Sequence, residues 1–380
     1  MAAKGVLANG IKHWVARGVE PVSERWVDTM LCVALALWTF GQICMAHSTI
    51  AGLPLVAGAH LDKIHQAIVA GCLVAALACR EYEFEPLELV LLGLALFATV
   101  SVWRANGDAH LIVLLLFAVT AAGMDPHRLA RWYVGGALAG LVMVLVMQSV
   151  GASALVATLQ WPHYVSAYGF SELYHLPYLL FSVLVGIVLG TEDSGSWFDV
   201  AVSVVCVLAA AILYVTLHAV RVSASLVLFG GFIVLRPYRP RLVHEVMSHK
   251  GARWFVVLLP LVLFCLASDG SKFYGLTMFK GGYSRLIKSY GYGSLICMYV
   301  LYARGVLRLK ATRTDQVLLV ACALFALLLT AERLPLYMEF DCALPMVLCR
   351  AGAAMGCGTD ALPRGRHAAP LRDSELANGR

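Results

Sequence analysis

The chain of 380 residues is 60% hydrophobic and only 14% charged, with a mean hydropathy of +0.78. These values exclude a water-soluble globular domain and leave a polytopic membrane protein. The formal net charge of +6 would point a soluble protein toward nucleic acid, but here the basic residues gather in short loops between apolar runs, as membrane topology requires, so no nucleic-acid partner is expected.

Residues 1–26 carry Lys4, Lys12, Arg17 and Arg25 without a short apolar core and small-residue cleavage site, so they read as a cytoplasmic, interfacial lead-in and not as a cleavable signal. Leu7, Ile11, Trp14 and Val15 recur at helical spacing, which suits a segment lying along the membrane surface. Apolar runs then predict helices near 27–46, 64–79, 86–103, 109–123, 132–150, 176–190, 197–217, 222–235, 254–267, 285–303, 315–331 and 335–349. The expected fold is therefore all-α, with about 12 transmembrane helices in one domain over 27–350. External loops are expected near 151–175 and 268–284, and residues 351–380, rich in Gly, Pro and charge, read as a disordered cytoplasmic tail.

With the N-terminus cytoplasmic, all but eight of the 29 Lys and Arg residues fall on the inside, which favours cytoplasmic termini and an even number of spans. The eight are Lys63, Arg104, Arg221, Lys272, Lys280, Arg285, Lys288 and Arg333, six of them in the second half of the chain. The eleven cysteines are scattered, mostly inside apolar runs and without a C-x-x-C pair, and read as small hydrophobes. No H-E-x-x-H, P-loop or G-x-S-x-G occurs, so neither a metal nor a cofactor is expected.

The stretch from Asp269 to Tyr302 joins a cationic, glycine-rich segment to an apolar helix, with no acidic residue after Asp269. Arg285 and Lys288, three apart at the start of a helix, share a face and form a candidate diphosphate clamp with Lys280. Interfacial anchoring of the helix is the alternative. Fifteen residues separate Arg221 from Arg236, about 22 Å of helix against about 30 Å of hydrocarbon, so at least one must snorkel or enter a protein-lined pocket. Arg236 adjoins other basic residues and is expected at the inner headgroups, which makes Arg221 the candidate sunken charge.

Candidate bases are His218, at helical spacing from Arg221, and Glu332, Glu339 and Asp341 in or before the last span. An interfacial last segment would instead solvate those acids. The external loop holds Trp161, His163, Tyr168 and His175, which with Tyr283 are candidates for packing on sugar rings; an interfacial aromatic belt is the alternative.

Three segments carry a family resemblance. YGFSELYHLP from Tyr168 is similar to a glycine-phenylalanine segment leading into a mid-chain span. LHAVRVSASLVLFGGF resembles an arginine entering a small-residue-rich helix, matching Arg221, and GGYSRLIKSYGYGSL resembles a tyrosine eight residues before a glycine, matching Tyr283, Tyr290 and Gly291. Together, over roughly residues 160–345, the chain resembles the Wzy-type polysaccharide repeat-unit polymerases and the O-antigen ligases.

The resemblance implies inverting glycosyl transfer at the outer face of the bacterial cytoplasmic membrane. An acceptor sugar hydroxyl would attack the anomeric carbon of a polyprenyl-diphosphate-linked oligosaccharide, with polyprenyl diphosphate leaving. Membrane lipid, a chain-length regulator and a flippase are the implied partners. Arg221 and Arg285 would hold the diphosphate with Lys280 or Lys288, and His218 or a carboxylate would take the acceptor proton. A ligase, a lipid-linked oligosaccharide flippase and a membrane acyltransferase are the competing readings.

Overall fold

The computed structural model describes residues 24–53, 56, 60–79, 86–151, 157–160, 163–191, 195–268, 280–310, 312–329 and 337–352. The helices are α1 (Glu24–Met45), α2 (Leu61–Cys79), α3 (Pro86–Asn106), α4 (His110–Thr120), α5 (Pro126–Ser149), α6 (His175–Gly190), α7 (Ser196–Leu217), α8 (Val220–Tyr238), α9 (Pro240–Ser248), α10 (Lys250–Ser268), α11 (Lys280–Arg308), α12 (Arg313–Leu328) and α13 (Ala343–Gly352). Each apolar run predicted above has a helix, and α9 is an additional short one. Between α5 and α6, in the expected external loop, β1 (Ala157–Gln160) pairs antiparallel with β2 (His163–Ser166).

Among the described residues five helices, α1, α2, α5, α7 and α8, are long and apolar enough to cross a membrane, and the bent pair α9–α10 brings the number to six. The outward faces carry Val142 and Val146 on α5, Ile212 and Val215 on α7, and Phe255 and Leu258 on α10, all exposed. Large apolar side chains facing outward from helices that satisfy their own backbone groups suit hydrocarbon as solvent. The chain is a helical membrane protein.

Packing follows small residues and rings. A Cβ at Gly136 of α5 would stand 2.5 Å from the Ala36 carbonyl oxygen of α1, so this close crossing requires glycine. Phe181 of α6 packs edge-on against Phe229 of α8 and Phe325 of α12, at 6.0 and 5.0 Å between ring centroids, which joins three helices in the core.

Polar contacts sort the helix termini into two ends. At one, Arg128 at the start of α5 donates to Thr29 and pairs with Asp28 at the start of α1. Arg131 donates to the Gly190 carbonyl closing α6, and Asp199 near the start of α7 binds Arg236 from the end of α8 and Arg313 from the start of α12. Arg350 of α13 pairs there with Asp315 of α12. Thus α1, α5, α7 and α12 run one way, while α6, α8 and α13 run the other. This basic end corrects one expectation: Arg236 is buried, with Asp199 accepting from its Nη2 at 2.8 and 2.7 Å. The acid that neutralises it lies 37 residues earlier, so the local sequence shows only an arginine beside other basic residues.

Candidate functional site

The opposite end is built on the turns that leave α1, enter α4 and enter α13. After α1, the His47 amide donates back to the Gln42 carbonyl, and Ser48 caps a short 3-10 turn by accepting from the Ile50 amide. The loop before α6 clamps this corner, because Ser171 donates its amide to the His47 carbonyl and Thr49 donates to that of Gly169. Tyr168 and Gly169 have φ of 50° and 85°, the left-handed backbone that turns this loop back on itself.

The α3–α4 connection, N-G-D-A-H, is a nested polar turn: Asn106 Oδ1 accepts from the Asp108 amide and Asp108 Oδ1 from the His110 amide. Short side-chain acceptors of this kind favour turns and helix starts. Asn106 Nδ2 also donates to the Ser289 carbonyl of α11 at 2.7 Å, which holds the turn beside Tyr290.

Glu339 lies in a third turn, residues 337–342, ahead of α13. Glu339 and Asp341 therefore precede the last helix and are not within it, contrary to the expectation of a helix near 335–349. The alternative of solvated acids fails too, since they are 0% and 6% exposed. Asp341 Oδ1 accepts from the amides of Ala343 and Leu344, both at 3.0 Å, which ends the turn and starts the helix. Tyr133 donates to the Glu339 carbonyl at 2.7 Å, while Ser182, bonded to Tyr133, accepts from the Cys342 amide. The turn is pinned from α5 and α6.

These turns assemble one polar chain. His47 Nε2 lies 2.8 Å and His110 Nε2 3.1 Å from Glu339 Oε1, and Trp38 Nε1 donates to Oε2 at 3.2 Å. His110 Nδ1 lies 2.6 Å from Asp108 Oδ1, and Tyr290 donates to Asp108 Oδ2 at 2.9 Å. Both nitrogens of His110 face carboxylate oxygens, so both donate and the ring is an imidazolium between two acids. His47 Nε2 faces a carboxylate oxygen, an acceptor only, so that nitrogen carries an N–H. Rings enclose the chain: Tyr337 lies over His110 at 4.4 Å, and His175 stacks on Phe340 at 5.1 Å with its Nδ1 3.1 Å from the His47 carbonyl.

Burial raises the Glu339 carboxyl, but the charge and hydrogen bonds of the two histidines outweigh it and hold the group below the usual carboxylate range. Asp108 follows the same pattern and is drawn down to about 2 by His110 and Tyr290 against burial. Asp341 has backbone amides but no cation, and burial carries it well above its ordinary value. The two turns that hold acids thus sort them: two ionised partners of histidine, and one cap.

His47, His110 and Glu339 each offer one ligand atom, all within 4.8 Å of one another, a nitrogen–nitrogen–oxygen set that could hold a transition metal. They come from three distant segments, which no linear motif search detects, and their direct hydrogen bonds satisfy the carboxylate by themselves. Beside them, an apolar cavity of about 310 Å³ includes Leu111, Phe264, Tyr292, Tyr299, Phe325 and Asp341 in its wall. Leu111 adjoins His110, and Asp341 is two residues from Glu339.

Of the residues singled out in the sequence, Glu339 is at the centre and His175 borders it. Tyr290, marked only through the family pattern, donates to Asp108. Lys280, Tyr283, Arg285 and Lys288 fall on the first turns of α11, and Gly291 interrupts that helix with φ 69° and ψ 165°. His218 is an exposed left-handed C-cap of α7 with φ 49°. The helix ends between His218 and Arg221, so the expected helical pairing of the two is lost; Arg221 is half-buried at the start of α8. His163 is on β2 and Tyr168 is exposed in the turn after it. Glu332 and Trp161 lie outside the described residues, as do residues 1–23 and 353–380.

Sequence reasoning missed His47, Asp108, His110 and Trp38. Asp108 and His110 gave one weak signal, an acid and a histidine two apart in a predicted external turn. Comparison with protein-family models, curated proteins and solved structures yields no match.

Proposed function

We propose that this chain polymerises polyprenyl-diphosphate-linked oligosaccharide repeat units by inverting glycosyl transfer at the outer face of a bacterial cytoplasmic membrane. In this reading the short helices complete twelve crossings, both termini are cytoplasmic, and the histidine centre faces outward. The observation that carries it is the partly buried His47–Glu339–His110–Asp108–Tyr290 chain, set beside an apolar cavity and on the helix that begins with Lys280, Arg285 and Lys288.

The parts divide the chemistry. Glu339 accepts from His47 Nε2 and orients the ring, so Nδ1 takes the proton of the acceptor hydroxyl as oxygen attacks the anomeric carbon. The bond to the diphosphate oxygen breaks with inversion, and negative charge grows on the leaving group. Cations at the start of α11 stabilise that charge more in the transition state than in the ground state. The cavity takes the first isoprene units of the carrier, and the aromatic hairpin loop covers the sugars.

The test is a deletion strain carrying wild-type, His47→Ala or Glu339→Gln chains at matched membrane abundance, with surface polysaccharide resolved by size. Single capped repeat units in both variants support polymerase. Polymer retained on the carrier lipid reassigns the chain as a ligase, and repeat units absent from the outer face reassign it as a flippase.

A further inference from the structure

The histidine centre also has the make-up of a metal site. Nε2 of His47 and Nε2 of His110 converge on one oxygen, Glu339 Oε1, at 2.8 and 3.1 Å, and the three atoms lie within 4.8 Å of one another. An ion at about 2.0–2.2 Å from each would set them about 3.4 Å apart in a tetrahedral arrangement, close enough for rotations of the side chains alone to reach.

The surrounding contacts point the same way. A histidine that binds a metal through one nitrogen almost always donates from the other to a carboxylate, a carbonyl or water, which fixes the ring. Asp108 Oδ1 takes this part for His110 Nδ1 at 2.6 Å, and Tyr290 donates to Asp108 in turn. Trp38 Nε1 donates to Glu339 Oε2 at 3.2 Å, which holds Oε1 toward the two rings. Glu339 and Asp108 together bring the two negative charges that a divalent ion between neutral imidazoles balances. The side chains of His47, His110 and Asp108 keep 10, 12 and 18% exposure, the route by which an ion enters.

We propose that His47, His110 and Glu339 bind one divalent transition metal, with zinc the best match. Two of the three donors are imidazoles, which suits zinc and not magnesium or calcium, whose ligands are oxygens. The set leaves the fourth tetrahedral position for water or for an oxygen of a bound molecule. Loading is an exchange: the proton on His110 Nε2 goes to solvent, His47 keeps a proton on Nδ1 only, and both Nε2 lone pairs go to the metal. The binding itself does not rest on the polymerase reading. Under that reading the loaded His47 already carries a proton on Nδ1 and cannot take that of the acceptor, so zinc inhibits chain extension.

The test uses purified, tag-free full-length protein in neutral detergent, stripped with chelator and titrated with Co2+, which occupies zinc sites and absorbs in the visible. Intense d–d bands that saturate at one ion per chain and are bleached by Zn2+ support the site. His47→Ala and His110→Ala abolish the bands, and Asp108→Asn weakens affinity by about 10–100-fold. His218→Ala, at an exposed histidine outside the set, changes nothing. A variant that misfolds also loses the bands, so X-ray absorption at the zinc edge of the loaded wild-type chain gives a second reading, expected to show nitrogen and oxygen neighbours with the scattering pattern of two imidazoles. Sulfur neighbours assign the metal to the cysteines and overturn the proposal, as do bands unchanged in both ligand variants or absent at a large excess of Co2+. Binding is read without turnover, so a wild-type chain that extends repeat units in chelator but never binds Co2+ overturns the metal site alone, and one that binds Co2+ without extending them supports the site and overturns the polymerase reading alone.

Discussion

Replacing Glu339 by Gln tests the centre without changing its size. One carboxylate oxygen serves His47 and His110, the other serves Trp38. A glutamine has one acceptor oxygen and one amide nitrogen, so the two sets of donors cannot both be satisfied. If the oxygen faces the histidines, the Trp38 N–H meets an NH2 group; if it faces Trp38, both histidines do. Either way at least one buried donor is stranded at about 1–3 kcal/mol, and the imidazolium of His110 loses one of its two counter-charges. In the proposed reaction the larger effect is on chemistry, because His47 loses the partner that orients it, and general-base catalysis of this type contributes about 10²–10⁴-fold. Chain extension from purified lipid-linked repeat units should therefore fall at least about 100-fold, with a lowered unfolding temperature. Asp341→Asn is the matched control. Asparagine caps a helix start about as well as aspartate, so extension should change little. Full activity in Glu339→Gln at equal abundance would refute the assignment of His47 and Glu339, whatever the stability.

Tyr290→Phe removes the donor to Asp108 and should lower extension by about tenfold, consistent with about 1.4 kcal/mol for a hydrogen bond to a charged group; an unchanged rate would detach α11 from the centre. Gly291→Ala meets no atom within 4 Å, so its cost is backbone alone, about 1–3 kcal/mol at a φ/ψ combination nearly exclusive to glycine, read as a lower unfolding temperature with reduced extension. Asp199→Leu leaves the buried Arg236 without its acid and should cost about 3 kcal/mol and most of the membrane abundance, whereas Asp199→Leu with Arg236→Met, which removes the buried charge as well, should recover part of it. Asp108 gives a pH signature: its carboxyl is lowered from 3.8 to about 2, so its stabilising contribution is complete above pH 3.8 and is lost as pH falls through about 2. Unfolding temperature against pH should show that step, and Asp108→Asn should remove it.

The elements were largely legible and the centre was not. An apolar run is a local property, and each of the runs read from the sequence has its helix, because backbone groups in hydrocarbon must bond within their own segment. What failed were features set by distant partners. Arg236 looks solvated until Asp199, 37 residues earlier, is brought under it. Glu339 and Asp341 look like span residues until Asp341 is seen capping α13, which starts the helix later than hydropathy places it. His47 and Glu339 are 292 positions apart, and a lone histidine after an apolar run carries no signal of its own. His218 misled for the opposite reason: its spacing from Arg221 matters only in a continuous helix, and its left-handed backbone ends one.

The two ends show how an apolar bundle handles charge. Isolated ionised groups are too costly to bury in hydrocarbon, and among the described residues Asp199, Asp315 and Glu339 each have a partner from a distant segment. At the basic end, Asp199 and Asp315 each bind arginine, and the contacts tie helix starts to helix ends. That arrangement fixes helix order. At the histidine end the partners are imidazoles, whose proton can move at neutral pH where a guanidinium proton cannot. A structural clamp needs a charge that never changes, and arginine supplies it. The proposed proton transfer needs one that does, and among the described residues His47, His110 and His175 gather around Glu339 and its turn, while arginines bind the acids at the other end.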